Sequence, residues 1–363
     1  MEAEILKKIL KKGLYFASFY SGIVHLLIFV LTKLKKNHCA AILFYHRFCS
    51  GSLDGDLLPC LDIGEFEKQM RHIKRWYKVI SMDELDKRLT SRENFPLPSI
   101  TITIDDGYLN NYKLAFPVLK ELDLHVMVYL ATGFIDTKNA LWVDDLADIL
   151  LFTKLGSFCF PELFGDEVLD ISTHWKKIEV LTRLYEEMVG LEHQKKILII
   201  RELFEGLGGN DARKHGPDRR MLNWNEVLEM SRNGVSFGAH TVNHPTLSKM
   251  ELSEAKREIF ESKMEIEARI GGKVKYFAIP NGKIEDFTNE LKEYCKEIGM
   301  STVVSTEPGV VSKQADPYFL RRISPPPPIY VFACELARYM FLKRVKRFDH
   351  LKSTHQGATK YFN

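Results

Sequence analysis

Short apolar runs and amphipathic, helix-like stretches alternate along most of this 363-residue chain. The spacing of apolar residues between the runs is that of helices with one buried face, as at Phe66, Met70, Ile73 and Tyr77. Because strands that alternate with helices pair in parallel, the pattern predicts an α/β fold on a parallel sheet. Six runs rich in apolar and β-branched residues predict its buried strands: residues 40–45, 99–104, 125–130, 235–237, 275–279 and 300–304.

Two parts of the chain depart from this alternation. Residues 151–220 contain no clear strand and predict a helical insertion. The four prolines at 325–328 cannot be helical, so we expect them to end the main domain, and a basic amphipathic helix is predicted at 331–347. The predicted organisation has three parts: a helix at 1–36, a main domain at 37–328 that contains the insertion, and a basic helix and tail at 329–363.

The N-terminal segment combines an apolar stretch with clustered lysines. Residues 14–31 are eighteen residues without a charge, which is marginal for a helix that spans a bilayer. Ser18, Ser21, Gly22 and His25 share one stripe of this helix. Such a stripe is as typical of a helix lying in the membrane interface, or packed on the protein itself, as of a spanning helix. A cleaved signal peptide is the weakest alternative, because no small-residue cleavage site follows.

The overall charge of +3 conceals an uneven distribution. Residues 1–36 carry +5 and residues 338–363 carry +6, which leaves −8 on the body between them. An acidic body excludes nucleic acid as a partner, whereas basic ends suit an anionic membrane surface. Surface lysines without a partner are the plainer explanation. We expect membrane association through the N-terminal helix.

The cysteine pattern bears on the compartment. The residues are scattered without a CxxC pair, so we expect them to be unpaired, which favours a cytoplasmic over a secreted main domain. The six cysteines are Cys39, Cys49, Cys60, Cys159, Cys295 and Cys334.

Candidate catalytic residues follow three of the predicted strands. His46 follows the first strand, Asp105 and Asp106 follow the second, and His240 and His244 follow the strand at 235–237. Ligands of parallel α/β folds bind at the carboxyl ends of the strands, so these side chains are expected in one pocket. Two histidines and one carboxylate form a ligand set of catalytic zinc sites, which leaves a position for water. The second aspartate could then accept a proton, although a helix cap is an alternative for both carboxylates.

Several segments together resemble the polysaccharide deacetylase family, also called NodB-homology or carbohydrate esterase family 4. Residues 103–108, TIDDGY, are similar to its T-F-D-D-G-Y motif, and residues 240–245, HTVNHP, to its H-[ST]-x-x-H motif. Residues 276–282, YFAIPNG, resemble its third motif. The resemblance covers about residues 40–324 and includes an early Y-H-R segment at 45–47, as in poly-N-acetylglucosamine deacetylases.

The resemblance implies a fold and a metal site. The expected fold is a distorted (β/α) barrel of the NodB-homology type, with a helical insertion and peripheral terminal helices. Asp106, His240 and His244 would hold a divalent metal, expected to be Zn²⁺, and Asp105 would be the general base.

Other positions depart from the family pattern. The family's C-terminal L-x-x-H histidine is absent from residues 319–323, FLRRI, so His46 is the expected general acid. Ala278 stands where many members have an arginine that orients the catalytic aspartate, and Arg322 is the candidate substitute. The N–H of Asn281, which replaces a more usual tyrosine, would lie in the oxyanion hole. Further candidates for substrate binding or support are Tyr108, Pro280, Trp142 and Trp224, although buried core positions are more typical for both tryptophans.

The implied reaction is metal-dependent removal of N-acetyl groups from an amino sugar in a polysaccharide or glycolipid. The departures leave an alternative open, a catalytically impaired glycan-binding or scaffolding protein on the same fold. A glycosidase using Asp105 and Asp106 is disfavoured, because adjacent carboxylates rarely achieve the separation across a sugar that this chemistry needs.

Overall fold

A computed structural model of the chain describes residues 2–34, 39–51, 56–96, 98–208 and 221–342. Its sheet is built mainly from seven parallel strands: β1 (Cys39–Tyr45), β5 (Ser99–Ile104), β6 (Val126–Leu130), β9 (Val235–Ala239), β10 (Tyr276–Ala278), β11 (Thr302–Pro308) and β13 (Leu320–Arg322). The shorter strands are β2 (Phe48–Cys49), β3 (Leu61–Asp62), β4 (Lys78–Val79), β7 (Ser157–Cys159), β8 (Val168–Asp170) and β12 (Val311–Ser312).

The seven strands follow one another around a barrel in the order β1, β5, β6, β9, β10, β11, β13. Leu43 in β1 pairs in parallel with Ile323, just after β13, and this bridge brings the two ends of the sheet together. The Ile323 N–H donates to the carbonyl of Ile42 at 2.8 Å. β12 runs antiparallel to β1, so the sheet is mixed. The predicted distorted (β/α) barrel is confirmed.

Helices surround the barrel: α1 (Glu2–Tyr20), α2 (Ile23–Leu34), α3 (Ile63–Trp76), α4 (Met82–Thr90), α5 (Phe116–Glu121), α6 (Trp142–Phe152), α7 (Pro161–Phe164), α8 (His174–Val189), α9 (His193–Gly206), α10 (Trp224–Arg232), α11 (Leu252–Ile270), α12 (Asn289–Glu297) and α13 (Ile329–Ala337). α13 occupies part of the helix predicted at 331–347, and a π-helical turn follows it at Arg338–Leu342. The basic tail beyond residue 342 lies outside the described residues.

The insertion differs from its prediction in one respect. β7 and β8 form an antiparallel hairpin within residues 151–220, where no strand was expected. Each strand has three residues and is largely exposed, so neither shows the periodic apolar pattern that identifies longer strands. Helices α6, α8 and α9 share a separate apolar core that also includes Leu57 and Leu58. Residues 209–220 of the predicted insertion lie outside the described part of the chain.

The N-terminal segment is two helices rather than the single helix predicted. α1 and α2 meet at a 74° bend, where Gly22 adopts a φ of +81°. Polar Ser21 and flexible Gly22 therefore break the helix instead of lying along its stripe. Among the described helices, none alone is long and apolar enough to cross a membrane, although this bent pair together meets the same criteria of length and composition.

A buried histidine lies where α2 packs on α3. The His72 ring contacts those of His25, at 5.5 Å between centroids, and Phe332, at 6.0 Å. Its Nε2 atom is buried, and no described residue hydrogen-bonds to it. Burial and the neighbouring His25 lower the pKa of His72 from 6.5 to about 3.

This histidine predicts a pH-dependent stability. Below pH 6.5 the unfolded chain binds a proton that the folded His72 accepts only near pH 3, so the free energy of unfolding falls as the pH decreases through that window. We expect a loss of about 2 kcal/mol between pH 7.5 and pH 5 from this group. Denaturant unfolding at the two pH values measures it. The variant His72→Phe should lose less stability over the same interval, and an identical loss in both proteins would contradict the assignment.

The expectation of six unpaired cysteines is wrong. Cys49, at the end of β2, forms a disulfide with Cys60, just before β3. β2 and β3 pair with each other, which brings the two thiols together although eleven positions separate them in the chain. Because disulfides persist mainly in oxidising compartments, the bond removes the argument for a reducing one. The other four cysteines all lie among the described residues and form no disulfide there.

Candidate active site

A cavity of 130 Å³ opens at the carboxyl ends of the barrel strands. His46 follows β1, Asp105 and Asp106 follow β5, and His240 follows β9. Because the strands are parallel, their carboxyl ends lie at the same end of the barrel. These residues are therefore close in space although they are far apart in sequence. The residues lining the cavity are His46, Arg47, Leu58, Pro59, Asp105, Asp106, Tyr108, Leu141, Trp142, Val143, Tyr185, His240, His244, Ile279, Asn281 and Thr306.

Three of these side chains form a potential metal centre. One potential ligand atom from each of Asp106, His240 and His244 lies within 4.8 Å of the others. The Nε2 atoms of the two histidines are 3.4 and 3.5 Å from Asp106 Oδ1. His240 Nδ1 lies 2.8 Å from the carbonyl oxygen of Ala278, which can only accept a hydrogen bond. His240 therefore carries its proton on Nδ1 and directs the lone pair of Nε2 into the cluster.

The chemistry of the cluster fits a divalent cation. Asp106 Oδ1 is buried, and no residue in the described ranges donates a hydrogen bond to it. An ionised oxygen without a donor is costly to bury, and a cation would offset that cost. Burial and the nearby His240 lower the pKa of His244 to about 3, so its ring is neutral, the form that binds metals. Asp106, His240 and His244 are therefore the residues that would hold the ion.

The turn after β5 directs both aspartates into the cavity. Asp106 and Gly107 adopt φ angles of +74° and +90°, and the Gly107 N–H donates to the carbonyl of Asp105 at 3.0 Å. A Cβ atom at Gly107 would lie 2.7 Å from the side chain of Leu130, so only glycine fits. This turn replaces the alternation of an extended strand, which would point adjacent side chains in opposite directions.

The loop that carries both histidines is held by a glutamate of α11. Glu258 accepts hydrogen bonds from the backbone N–H groups of Val242 and Asn243, at 2.9 and 2.8 Å. Its second oxygen accepts from Asn243 Nδ2 at 2.7 Å. His244 itself has a φ of +52°, an uncommon conformation for a residue with a side chain. Glu258 therefore stabilises the backbone that positions the two imidazoles of the cluster.

Removing this carboxylate should loosen the metal site. We expect Glu258→Ala to weaken metal affinity by about 10- to 100-fold, the usual effect of losing a group that orients metal ligands. Titration of the protein with metal, monitored by calorimetry, measures the change in affinity. Glu261→Ala, on an exposed face of the same helix, is the matched control and should bind metal as the unaltered protein does. Equal affinity in the Glu258 variant would contradict this role.

Asp105 forms a buried ion pair with Arg322. Arg322 Nη1 and Nη2 donate to the two oxygens of Asp105 at 2.8 and 2.7 Å, and Arg322 is 0% exposed. The guanidinium also donates to the carbonyl of Ser305 and to Thr103 Oγ1, so it is fixed from several sides. Burial alone would raise the pKa of Asp105, but the Arg322 charge outweighs this effect and holds the pKa below its usual range. This is the contact for which Arg322 was the sequence candidate.

His46 also lies close to Asp105, although it comes from the start of the barrel sequence and Arg322 from its end. Its Nε2 atom is 3.9 Å from Asp105 Oδ2, and 28% of its side chain is exposed. Asn111 Nδ2 donates to the carbonyl oxygen of His46 at 2.7 Å, which fixes the backbone. His46 therefore lies at the cavity, where it could exchange a proton with a bound substrate.

Asn281 occupies a strained turn on the wall of the cavity. Its φ is +58°, and Thr306 Oγ1 donates to its carbonyl oxygen at 2.6 Å. The side-chain amide donates to Thr246 Oγ1 at 3.0 Å. No residue among those described accepts a hydrogen bond from the backbone N–H of Asn281.

The remaining sequence candidates are divided. Tyr108 lines the cavity, and its hydroxyl donates to Asp144 at 2.9 Å. Pro280 is buried beside Asn281 but does not line the cavity. Trp224 packs in the main core away from the cavity, so the structure gives no support to a sugar-binding role for it. Trp142, in contrast, is on the cavity wall.

Sequence reasoning missed several residues of the site, among them Glu258 and Tyr185. Glu258 is the buried glutamate of a charged helix whose other glutamates are exposed or half-buried, and nothing in its local sequence pattern distinguishes it. Tyr185 lines the cavity from the insertion, for which the sequence predicted only helical structure. The one signal in the sequence was an aromatic residue within a predicted helix. The structure shows that this residue of α8 is half-buried.

A β/α barrel with an Asp-His-His cluster and a second aspartate at the strand ends has the arrangement of a hydrolase active site. The polysaccharide deacetylase family model matches residues 92–303 of this chain. The match covers more than half of the chain, so the chain belongs to the polysaccharide deacetylase family and is an enzyme of that family.

Relatives of known structure share the fold. The Streptococcus pyogenes deacetylase PplD, in complex with acetate, aligns with a TM-score of 0.55 and 18% identity over 84% of this chain and 99% of its own. IcaB from Ammonifex degensii aligns with a TM-score of 0.54 and 18% identity over 83% of this chain and 97% of its own. In sequence, the Bacillus subtilis (strain 168) protein YxkH is 20% identical over 292 residues, 80% of this chain and 73% of YxkH.

Proposed function

We propose that this enzyme removes N-acetyl groups from an amino sugar in a polysaccharide or glycolipid, with a divalent metal, expected to be Zn²⁺, at Asp106, His240 and His244. The observation that carries the proposal is the presence, in one cavity, of this ligand cluster together with the buried Asp105–Arg322 pair. When bound, the ion would polarise the acetyl carbonyl and increase the acidity of water.

The side chains around the cluster account for the proton transfers. Asp105 is ionised and fixed by Arg322, so it accepts the proton of the attacking water. His46, whose Nε2 atom lies 3.9 Å from Asp105 Oδ2, donates a proton to the departing nitrogen. The N–H of Asn281 donates to the acetyl oxygen as negative charge develops on it. Each role uses a group that lines the cavity.

The alternative of a glycan-binding protein without catalysis rested on two departures, Ala278 and the absent C-terminal histidine. Arg322 supplies the guanidinium that Ala278 cannot, and His46 supplies an imidazole beside Asp105. These contacts favour the enzyme.

The reaction is tested directly by acetate release. Metal-loaded protein is incubated with N-acetylglucosamine oligomers and with lipid-linked N-acetylated amino sugars, and an O-acetylated sugar is the control for linkage. We expect acetate from an N-acetylated substrate and its loss after chelation. If no acetate is released from any of them, the proposal is wrong.

A single variant separates the enzyme from the alternative. His46→Ala should lower kcat by about 10²- to 10⁴-fold, because a general acid contributes that much, while the metal content stays unchanged. Acetate release and elemental analysis measure the two quantities. An unchanged kcat would remove His46 from the mechanism.

We also propose that α1 and α2 bind an anionic membrane surface. Apolar side chains on both helices are each more than a third exposed, and Lys7, Lys8, Lys12 and Lys33 are exposed beside them. Exposed apolar surface with adjacent lysines matches the chemistry of a bilayer with anionic headgroups. The apolar residues are Leu6, Ile9, Leu10, Leu14, Phe16 and Tyr20 on α1, with Ile23, Leu26, Leu27, Phe29, Val30 and Leu34 on α2.

Vesicle co-sedimentation tests the membrane proposal on the full chain. Binding to phosphatidylcholine vesicles should increase when phosphatidylserine is included, and it should fall in the double variant Leu14→Glu, Leu26→Glu. Met264→Glu, at an exposed apolar position of α11, is the matched control. If the bound fraction changes neither with the lipid charge nor in the double variant, the proposal is contradicted.

A further inference from the structure

The helical insertion forms one wall of the catalytic cavity. Trp142 begins α6 and Tyr185 lies in α8, and both line the cavity. Their rings stack at 5.4 Å between centroids with an angle of 8° between planes. Tyr185 of the insertion and Trp142 of the preceding helix α6 therefore form an aromatic wall beside the aspartates and histidines that follow the barrel strands.

The ring of Tyr185 is held at both ends. Trp142 packs against it, and its hydroxyl donates to Asn281 Oδ1 at 3.4 Å. Trp142 is itself fixed, because the buried Lys196 ammonium lies 5.1 Å from its ring and donates to Thr246 Oγ1 at 2.8 Å. Thr246 Oγ1 also accepts from Asn281 Nδ2, so this network connects the insertion to the turn that carries the proposed oxyanion donor.

The size of the cavity decides what this wall would contact. A volume of 130 Å³ is close to the 150 Å³ of a cavity that accepts benzene, so it holds an acetamido group but not a whole sugar with its neighbours. The pyranose ring must then lie at the mouth. Trp142 is 4% exposed and offers little surface there, whereas Tyr185 is only half-buried.

We propose that Tyr185 is a substrate-binding residue, on which the ring of the acetylated amino sugar stacks while its acetamido group enters the cavity. The C–H groups of a pyranose face are apolar and pack well on an aromatic ring, and the polar tip of tyrosine tolerates the sugar's hydroxyl groups. A ring already held by Trp142 and Asn281 loses little conformational freedom when the sugar binds. This inference rests on the proposed function, since it concerns the same substrate.

The test separates sugar binding from chemistry. Binding of an N-acetylglucosamine tetramer is measured by calorimetry in an Asp105→Asn background, and kcat and KM are measured with Asp105 intact. Tyr185→Leu should weaken binding and raise KM by about tenfold, with kcat within about threefold. Tyr185→Phe, which keeps the ring, should recover most of the affinity. Trp175→Leu, at a position of α8 that is 79% exposed, is the matched control and should bind normally.

The outcomes are distinguishable. Unchanged tetramer affinity in Tyr185→Leu overturns the proposal, as does a fall in kcat with KM unchanged, which would assign Tyr185 to the positioning of Asn281. Metal content and melting temperature check the fold of the variant, and Tyr185→Met serves as a second ring-free variant if the first unfolds. Absence of acetate release by the unaltered enzyme from every sugar overturns the proposed function, whereas normal release with an unaffected leucine variant overturns only the assignment of Tyr185.

Discussion

Replacing His240 with alanine is expected to abolish both metal binding and acetate release. His240 Nε2 is one of three potential ligand atoms, and the hydrogen bond between its Nδ1 and the carbonyl of Ala278 directs that nitrogen into the cluster, so alanine removes a well-oriented ligand. Without the ion the barrier would rise by several kcal/mol, and we expect kcat/KM to fall at least about a thousandfold. Elemental analysis and an acetate assay measure the two losses together.

A second histidine variant controls for the loss of an imidazole as such. His125 is exposed just before β6, at the amino end of the strand and thus at the opposite end of the barrel. His125→Ala should keep full metal content and activity. Bound metal with full activity in His240→Ala would refute the assignment of the cluster.

Replacing Arg322 with methionine is expected to damage both stability and catalysis. Asp105 would remain buried and ionised without its partner, and breaking a buried ion pair in this way costs about 3–5 kcal/mol. The carboxylate would also lose the two hydrogen bonds that orient it, so kcat should fall by about 10²-fold or more. Denaturant unfolding and steady-state kinetics measure the two effects.

A double variant separates the structural effect from the catalytic one. In Arg322→Met with Asp105→Asn, neither charge is present, so most of the lost stability should return. Activity should not return, because the general base is also removed. If the double variant is as unstable as the single one, the stability loss does not come from the unpaired Asp105 charge.

The residues closest to the chemistry could be found from local sequence. Asp105 and Asp106 precede a glycine at a strand end, and His240 and His244 share one short loop, so each pair is visible in a few consecutive residues. Arg322 was suggested by its place near a strand end, as a substitute for the arginine that the family resemblance leads one to expect at Ala278. Its strand, β13, and β5 flank β1 in the barrel, and its guanidinium reaches Asp105. These residues could be named from the sequence because strand ends are readable from the hydrophobic pattern.

Other features had no local signal. The disulfide between Cys49 and Cys60 depends on the pairing of β2 with β3, two strands of two residues each. The sequence did not reveal the break at Gly22. Small and polar residues are typical both of one stripe of a helix and of a helix end, so their presence does not distinguish the two. Short elements produce too few periodic positions to be recognised, so their pairing is decided by packing.

The sequence by itself determined six of the seven barrel strands, the family motifs and the identity of the candidate metal ligands, because period, turn residues and catalytic side chains are encoded over short stretches. The three residues of β13 are too few to show a period. Only the tertiary structure decided which distant groups complete the site. Glu258 reaches the histidine loop from α11, and Tyr185 reaches Asn281 from the insertion. Both contacts join elements that are separate in sequence, so they depend on how whole helices pack against the barrel and not on the residues beside them.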